Sequence, residues 1–195
     1  MPVLNVHLIS RFNYDHEDIG EGGLYQVGLY LIDFFDQVVA GTGTFTSSDF
    51  WYNSDSGQVA AKDLVCYMLT NSGGSIVANH TSDPLGPAGS TVWSQSSRAM
   101  ISEVYMDATT GDASRPRLLA NLIIHELMHN KLDAHPSLAI FNTTAGIHGI
   151  ANGRVSTGGS VTSASTPSQA DIRAMRRGVK LSIPQHTRDF VPWSF

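Results

Sequence analysis

A single cysteine, Cys66, is all the thiol chemistry the chain contains. That excludes an internal disulfide and any zinc cage built from several thiolates of one chain, so a metal site here must use imidazole and carboxylate. Long apolar runs are missing as well. The longest candidate, Val27 to Ala40, is interrupted by Asp33, Asp36 and Gln37, as an amphipathic helix would be. No run reaches the roughly 18 residues a membrane span needs, and a soluble protein with no membrane partner is expected. Clustered basic charge is scarce: the 12 Lys and Arg residues are scattered apart from Arg173, Arg176, Arg177 and Lys180, and the formal net charge is −5. A general grip on nucleic acid needs a basic face, so no nucleic-acid partner is expected. The segment Met1 to His7 has neither the basic start nor the small-residue cleavage site of a secretory signal. The chain therefore reads as leaderless, while a composition that is rich in Gly, Ser and Thr and only 15% charged is compatible with an exported or mature secreted protein.

What is present suffices for one compact domain: 195 residues, 42% of them hydrophobic, can bury a substantial core. Val3 to Phe12 alternates loosely, as a first strand would. From Leu24 to Val39 the apolar positions Leu24, Val27, Leu31, Phe34, Phe35 and Val38 recur at helical spacing, which predicts a long helix packed on a sheet. Short strands are expected at Thr44 to Tyr52, Leu64 to Thr70 and Ala99 to Asp107, separated by loops such as Asn71 to Ser75 and Asp83 to Ser90. A second strong helix should begin with Ser114 as N-cap and Pro116 in its first turn, and run through Leu118, Leu119, Leu122 and Ile123 to about Asn130. A last helix is announced by Thr166-Pro167-Ser168 and closed by Gly178. These elements predict an α+β fold with a small mixed twisted sheet.

The segment His125-Glu126-Leu127-Met128-His129 carries the chemistry. On a helix, residues four apart stack one turn apart on one face, so two imidazoles at this spacing can hold one zinc ion. Glu126, next to the first of them, is placed to act as general base. A catalytic zinc takes three protein ligands and keeps one position open. Glu126 is the last glutamate in the chain, so no downstream glutamate can be the third ligand. Asp133 continues the series, but in an unbroken helix it lies about 12 Å along the axis from His125 and could bind only if the helix bends. His135 fits better if the helix ends near Asn130 to Leu132 and the chain turns back, with Pro136 fixing the exit.

The resulting pattern, His125-Glu126-x-x-His129-x-x-x-x-x-His135, resembles the zinc signature of the metzincin peptidases, HExxHxxGxxH. The resemblance implies His125, His129 and His135 as zinc ligands, Glu126 as general base, a polypeptide substrate and a zincin-like fold. It further implies a single catalytic domain over residues 1–195. Residues 1–130 would form an N-terminal subdomain with the active-site helix, and residues 131–195 a smaller C-terminal subdomain ending in a helix. A monomer is expected. Ser168-Gln169-Ala170-Asp171-Ile172 is similar to the start of the last helix in matrix metalloproteinases. Two positions depart from the signature. Leu132 stands where the family has its turn-making glycine, and no methionine lies between His135 and Met175 to supply the family's Met-turn. Met175 itself falls in the predicted last helix and reads as a core residue. The same histidine spacing followed by Asn130 also resembles the SprT and WLM groups, which include proteases of DNA–protein crosslinks, but the net charge and the lack of a basic tail weigh against that variant.

No tyrosine lies downstream of Tyr105, so His148 is the candidate for a transition-state stabiliser or substitute ligand, the alternative being a loop histidine without a catalytic part. Ala99 to Asp107 could be an edge strand that pairs with an extended peptide, or ordinary sheet. His80 and Asp83 read as solvated loop residues rather than a structural metal site. Asp107 and Asp112 lack the alternating oxygen ligands of a calcium loop and read as a turn and helix cap. Cys66 reads as a small core residue. Two other functions share these residues: a zinc-stabilised binding module or pseudoenzyme, and a zinc amidase acting on a non-protein amide. Retention of Glu126 speaks for catalysis, because a structural zinc needs no base.

Overall fold

The computed structural model describes residues 2–10, 19–53, 58–71, 88–94, 99–132 and 161–180. It is an α+β structure. A five-stranded sheet is built from β1 (Leu4–Ser10), β2 (Ser48–Tyr52), β3 (Leu64–Leu69), β4 (Gly89–Ser94) and β5 (Ala99–Tyr105), in the order β2-β1-β3-β5-β4. The first four strands of that order run parallel and β4 runs antiparallel to β5. Three α-helices accompany it: α1 (Gly20–Val39), α2 (Arg115–Leu132) and α3 (Gln169–Gly178), with a short 3-10 turn at Met106–Thr109 ahead of α2.

Strand alternation sorts side chains between the two faces. Leu4, Val6 and Leu8 of β1, Leu64, Cys66 and Met68 of β3 and Val104 of β5 join the main core, which also takes in buried residues of all three helices. The opposite face holds a smaller cluster of Ile9, Val65, Tyr67 and Ile101. With both faces covered, β3 reads as a continuous apolar run, as a central parallel strand does. The helix α1 lays Leu24, Val27, Leu31, Phe34, Phe35 and Val38 into the core, matching the spacing-based expectation, and begins four residues earlier than predicted. Its glycine at position 28 is a close-approach residue: a Cβ there would lie 2.6 Å from Cδ1 of Phe50 on β2.

The last helix starts as expected, with Ser168 as N-cap. Its hydroxyl accepts from the Asp171 amide and the Asp171 carboxylate accepts from the Ser168 amide, a reciprocal capping box. This helix packs into the same core as the rest, through Ile172, Ala174 and Met175, so Met175 is a core residue. Arg176 reaches across to α1 and donates to the carbonyls of Val38 (3.0 Å) and Gln37 (2.7 Å). It thereby satisfies carbonyls that a helix C-terminus leaves without intrahelical partners.

One sequence-based expectation is corrected and one open alternative is decided. Gly89 to Ser94, of which the first two residues were assigned to a loop, is a strand, and it forms the edge of the sheet among the described residues. Of the two readings of Ala99 to Asp107, edge strand or ordinary sheet, the structure bears out the second: β5 is paired on both sides, with β3 and with β4. Edge positions depend on which strands flank a segment, which local alternation does not encode. No helix among the described residues is long and apolar enough to cross a membrane.

Candidate functional site

Helix α2 is buried on nearly every side, polar residues included. Leu118, Leu119, Ala120, Leu122, Ile123, Ile124, Leu127 and Met128 are all buried, which is the pattern of a helix enclosed by the core rather than lying on its surface. Two anchors set its position at the N-terminal end. Asp112 accepts from the Ser114 amide (2.7 Å) and from the Ser163 hydroxyl (3.0 Å), and these bonds hold its carboxyl below the usual range. Asn121 donates to the carbonyls of Thr162 and Ser165, both at 2.8 Å. The segment leading to α3 is thus tied to α2.

The last two turns of α2 carry His125, Glu126 and His129. The imidazoles meet edge to face, with ring centroids 4.5 Å apart and planes at 82°, and their Nε2 atoms approach to 3.0 Å. Both residues are 8% exposed. A tetrahedral zinc with bonds of 2.0–2.1 Å sets two nitrogen ligands about 3.3 Å apart, so this pair fits the ion with a movement of a few tenths of an ångström. The site also lies at the C-terminal end of a helix, where the macrodipole favours a cation. Burial at the same end pushes the Lys131 ammonium down to about 8.

Glu126, between the two histidines in the sequence, meets the edge strand β4. Its Oε2 accepts from the Thr91 hydroxyl at 2.6 Å. That same hydroxyl oxygen lies 2.9 Å from the Glu126 carbonyl oxygen and 3.0 Å from Oγ of Ser102. Ser102 Oγ is also 3.2 Å from the Glu126 carbonyl oxygen and accepts from Nδ2 of Asn130 at 3.0 Å. Thr91 and Ser102 are register partners on β4 and β5, and Ser102 is the register partner of Cys66 on β3. Three short side chains in one row therefore let the helix sit close over the sheet. Gly89, two residues before Thr91, completes the fit: a Cβ there would stand 2.7 Å from Oε1 of Glu126 and 2.8 Å from the Glu103 carbonyl oxygen.

Cys66 is fully buried in this row. Burial, with the Glu126 and Glu103 carboxylates nearby, pushes its thiol well up, which removes it as a nucleophile and makes it the core residue expected. On the other face of β5, Glu103 accepts from the Tyr105 hydroxyl at 3.0 Å.

Of the residues singled out from sequence, the fold brings His125, Glu126 and His129 together. His135, His148, Asp133, His80 and Asp83 lie outside the described residues, as does the turn after Leu132. Among the described residues no group of three His, Cys, Asp or Glu side chains converges on a point. Thr91 and Ser102 were not singled out from sequence, and Asn130 only as the residue that follows the histidine motif. The β-branched and aromatic run Thr91-Val92-Trp93, a few residues after the punctuating Pro84, Gly86 and Pro87, is the signal that could have identified the strand. Compared with protein-family models, curated proteins and solved structures, the chain matches none of them.

Proposed function

We propose that the chain is a zinc-dependent peptidase with a zincin-like arrangement, in which His125, His129 and His135 hold the metal and Glu126 is the general base. The observation that carries this reading is the convergence of two buried imidazole nitrogens at 3.0 Å beside a carboxylate held by the neighbouring strand. When bound, zinc supplies Lewis acidity, lowering the pKa of water and polarising an amide carbonyl. The protein's part is to position and to move protons. Glu126 accepts a proton from the attacking water at a carboxylate oxygen and later delivers it to the leaving amine nitrogen. The 5% exposure of Glu126 keeps bulk water from competing for that proton.

The edge strand supports a polypeptide as substrate. Strand β4 pairs with β5 along one side and lies at the margin of the sheet among the described residues, and an extended peptide can add to such an edge through main-chain hydrogen bonds. Thr91 on this strand is in contact with Glu126, so a peptide seated along β4 would run past the base.

The test is zinc content of the purified chain together with cleavage of a broad quenched-peptide library, wild type against Glu126→Ala. One equivalent of zinc in both proteins is expected, with kcat lowered about 10²–10⁴-fold in the variant, the range a general base contributes. Zinc without cleavage by the wild type would overturn the peptidase reading in favour of a non-peptide amide or a structural metal, and no zinc after reconstitution would overturn the metal site itself.

A further inference from the structure

We infer that Thr91 is a positioning residue for Glu126, its hydroxyl fixing the carboxylate against the edge strand through Oε2. This inference rests on the reading of Glu126 as the general base. Three observations meet at this residue. The Thr91 hydroxyl has one proton and three oxygens within reach: Oε2 of Glu126 at 2.6 Å, the Glu126 carbonyl at 2.9 Å and Ser102 Oγ at 3.0 Å. A carboxylate is the strongest acceptor of the three and is also the nearest, so the proton goes to Oε2, in a charge-assisted bond of the short length such bonds have.

Ser102 leaves that proton where it is. Its oxygen already accepts from Asn130, and its own proton can be taken by the Glu126 carbonyl at 3.2 Å. Asn130 therefore donates to Ser102, Ser102 to the Glu126 carbonyl and Thr91 to the Glu126 carboxylate, so that β5 and β4 are both tied to the helix at Glu126, and Ser102 and Asn130 are wholly buried. Gly89 closes the other side. The space a Cβ would need is filled by Oε1 and Cγ of Glu126, at 2.7 and 2.8 Å, so the side chain is confined between the Thr91 hydroxyl and the Gly89 backbone. Positioning a reacting group in this way acts on the chemical step rather than on substrate affinity, because a misplacement of about 1 Å at a catalytic group can cost ~100-fold in rate.

The substitutions that separate this role from mere packing are Thr91→Val, which keeps the branched shape and removes the hydroxyl, and Thr91→Ser, which keeps the hydroxyl and removes the methyl. Thr91→Ala is run beside them and carries the expectation of Thr91→Val should the larger apolar side chain not be accommodated. In the zinc-loaded full chain, Thr91→Val should keep one equivalent of zinc and lower kcat by about 10–100-fold with KM within twofold of wild type, and Thr91→Ser should stay within about threefold of wild type. A crystal structure of Thr91→Val should show the Glu126 carboxylate displaced from its wild-type position by about 1 Å or more. A wild-type kcat in Thr91→Val, an equal loss in Thr91→Ser, or an unmoved Glu126 carboxylate would each overturn the inference. The structural readout decides it even if the wild type cleaves no peptide, in which case the peptidase reading fails separately.

Discussion

Two buried histidine settings lie on different elements of this protein and differ in what faces the ring. On β1, His7 is 1% exposed. Its Nε2 lies 3.1 Å from Oδ2 of Asp63, and its ring stacks on Trp51 of β2 at 6.4 Å between centroids. Asp63 is itself enclosed by donors. It accepts from Asn5 at 3.1 Å and from the Ala60 amide at 2.7 Å. On α2, by contrast, His125 and His129 point their Nε2 atoms at one another. Two neutral imidazoles can share that contact only if one carries its proton on Nε2 and the other on Nδ1, and a metal ion that replaces the shared proton is bound by both. A histidine paired with a carboxylate ties β1 to the residue that precedes β3, whereas two imidazoles that converge on each other have the spacing the proposed zinc reading requires.

The largest effect that could break this contrast is on metal binding. His125→Ala or His129→Ala should each lose zinc affinity by more than the ~10–100-fold that changes in the outer shell cost. His7→Ala should retain one equivalent. Metal analysis after dialysis against a weak chelator makes the comparison. Retention of zinc by His129→Ala would mean that the pair is not the ligand set.

Stability should show the reverse pattern. Removing the carboxylate in Asp63→Ala leaves the His7 ring, the Asn5 amide and the Ala60 N–H without their acceptor, at a cost of about 3 kcal/mol at pH 7 in urea unfolding. Burial alone would raise the Asp63 carboxyl, but the bonds from His7, Ala60 and Asn5 outweigh it and hold the group below its ordinary value of 3.8. A depressed carboxylate contributes stability that is present above the unfolded value and lost as pH falls through the folded one. The deficit of Asp63→Ala relative to wild type should therefore be fully present at neutral pH and narrow below about pH 3.8. A deficit independent of pH would remove the ionised carboxylate from the account.

A smaller effect sharpens the view of the α2 site. Gly89→Ala forces a methyl against Oε1 of Glu126 and the Glu103 backbone, and overpacking of this kind costs about 1–3 kcal/mol. Because the nearest atoms belong to Glu126, the change should also lower turnover while leaving zinc content at one equivalent. Unchanged thermal stability and turnover would mean that β4 has room to move away from the helix.

Much of the fold was legible because its signals are local. The apolar spacing of α1, the continuous run of β3 and the Ser168 to Asp171 capping box are each set by residues within a turn or a strand of one another, and each element lies where those residues put it. The pairing of His125 with His129 was legible for the same reason, since a helix brings residues four apart onto one face whatever surrounds it. Strand β4 was missed because six residues behind a stretch of sequence rich in Gly and Pro carry a weak signal, and the place of Ala99 to Asp107 in the sheet stayed open because strand order is a property of the whole sheet. The His7–Asp63 pair spans 56 positions and the Thr91–Glu126 bond 35, distances over which spacing says nothing. By itself, then, the sequence determined the helices, the central strands and the two imidazoles with the acid between them, all of which follow from short-range periodicity. Only the tertiary structure decided which strand lies at the margin, which hydroxyl holds the acid and which histidine is tied to a carboxylate. Those contacts exist only once the sheet has ordered its strands and α2 has settled across them.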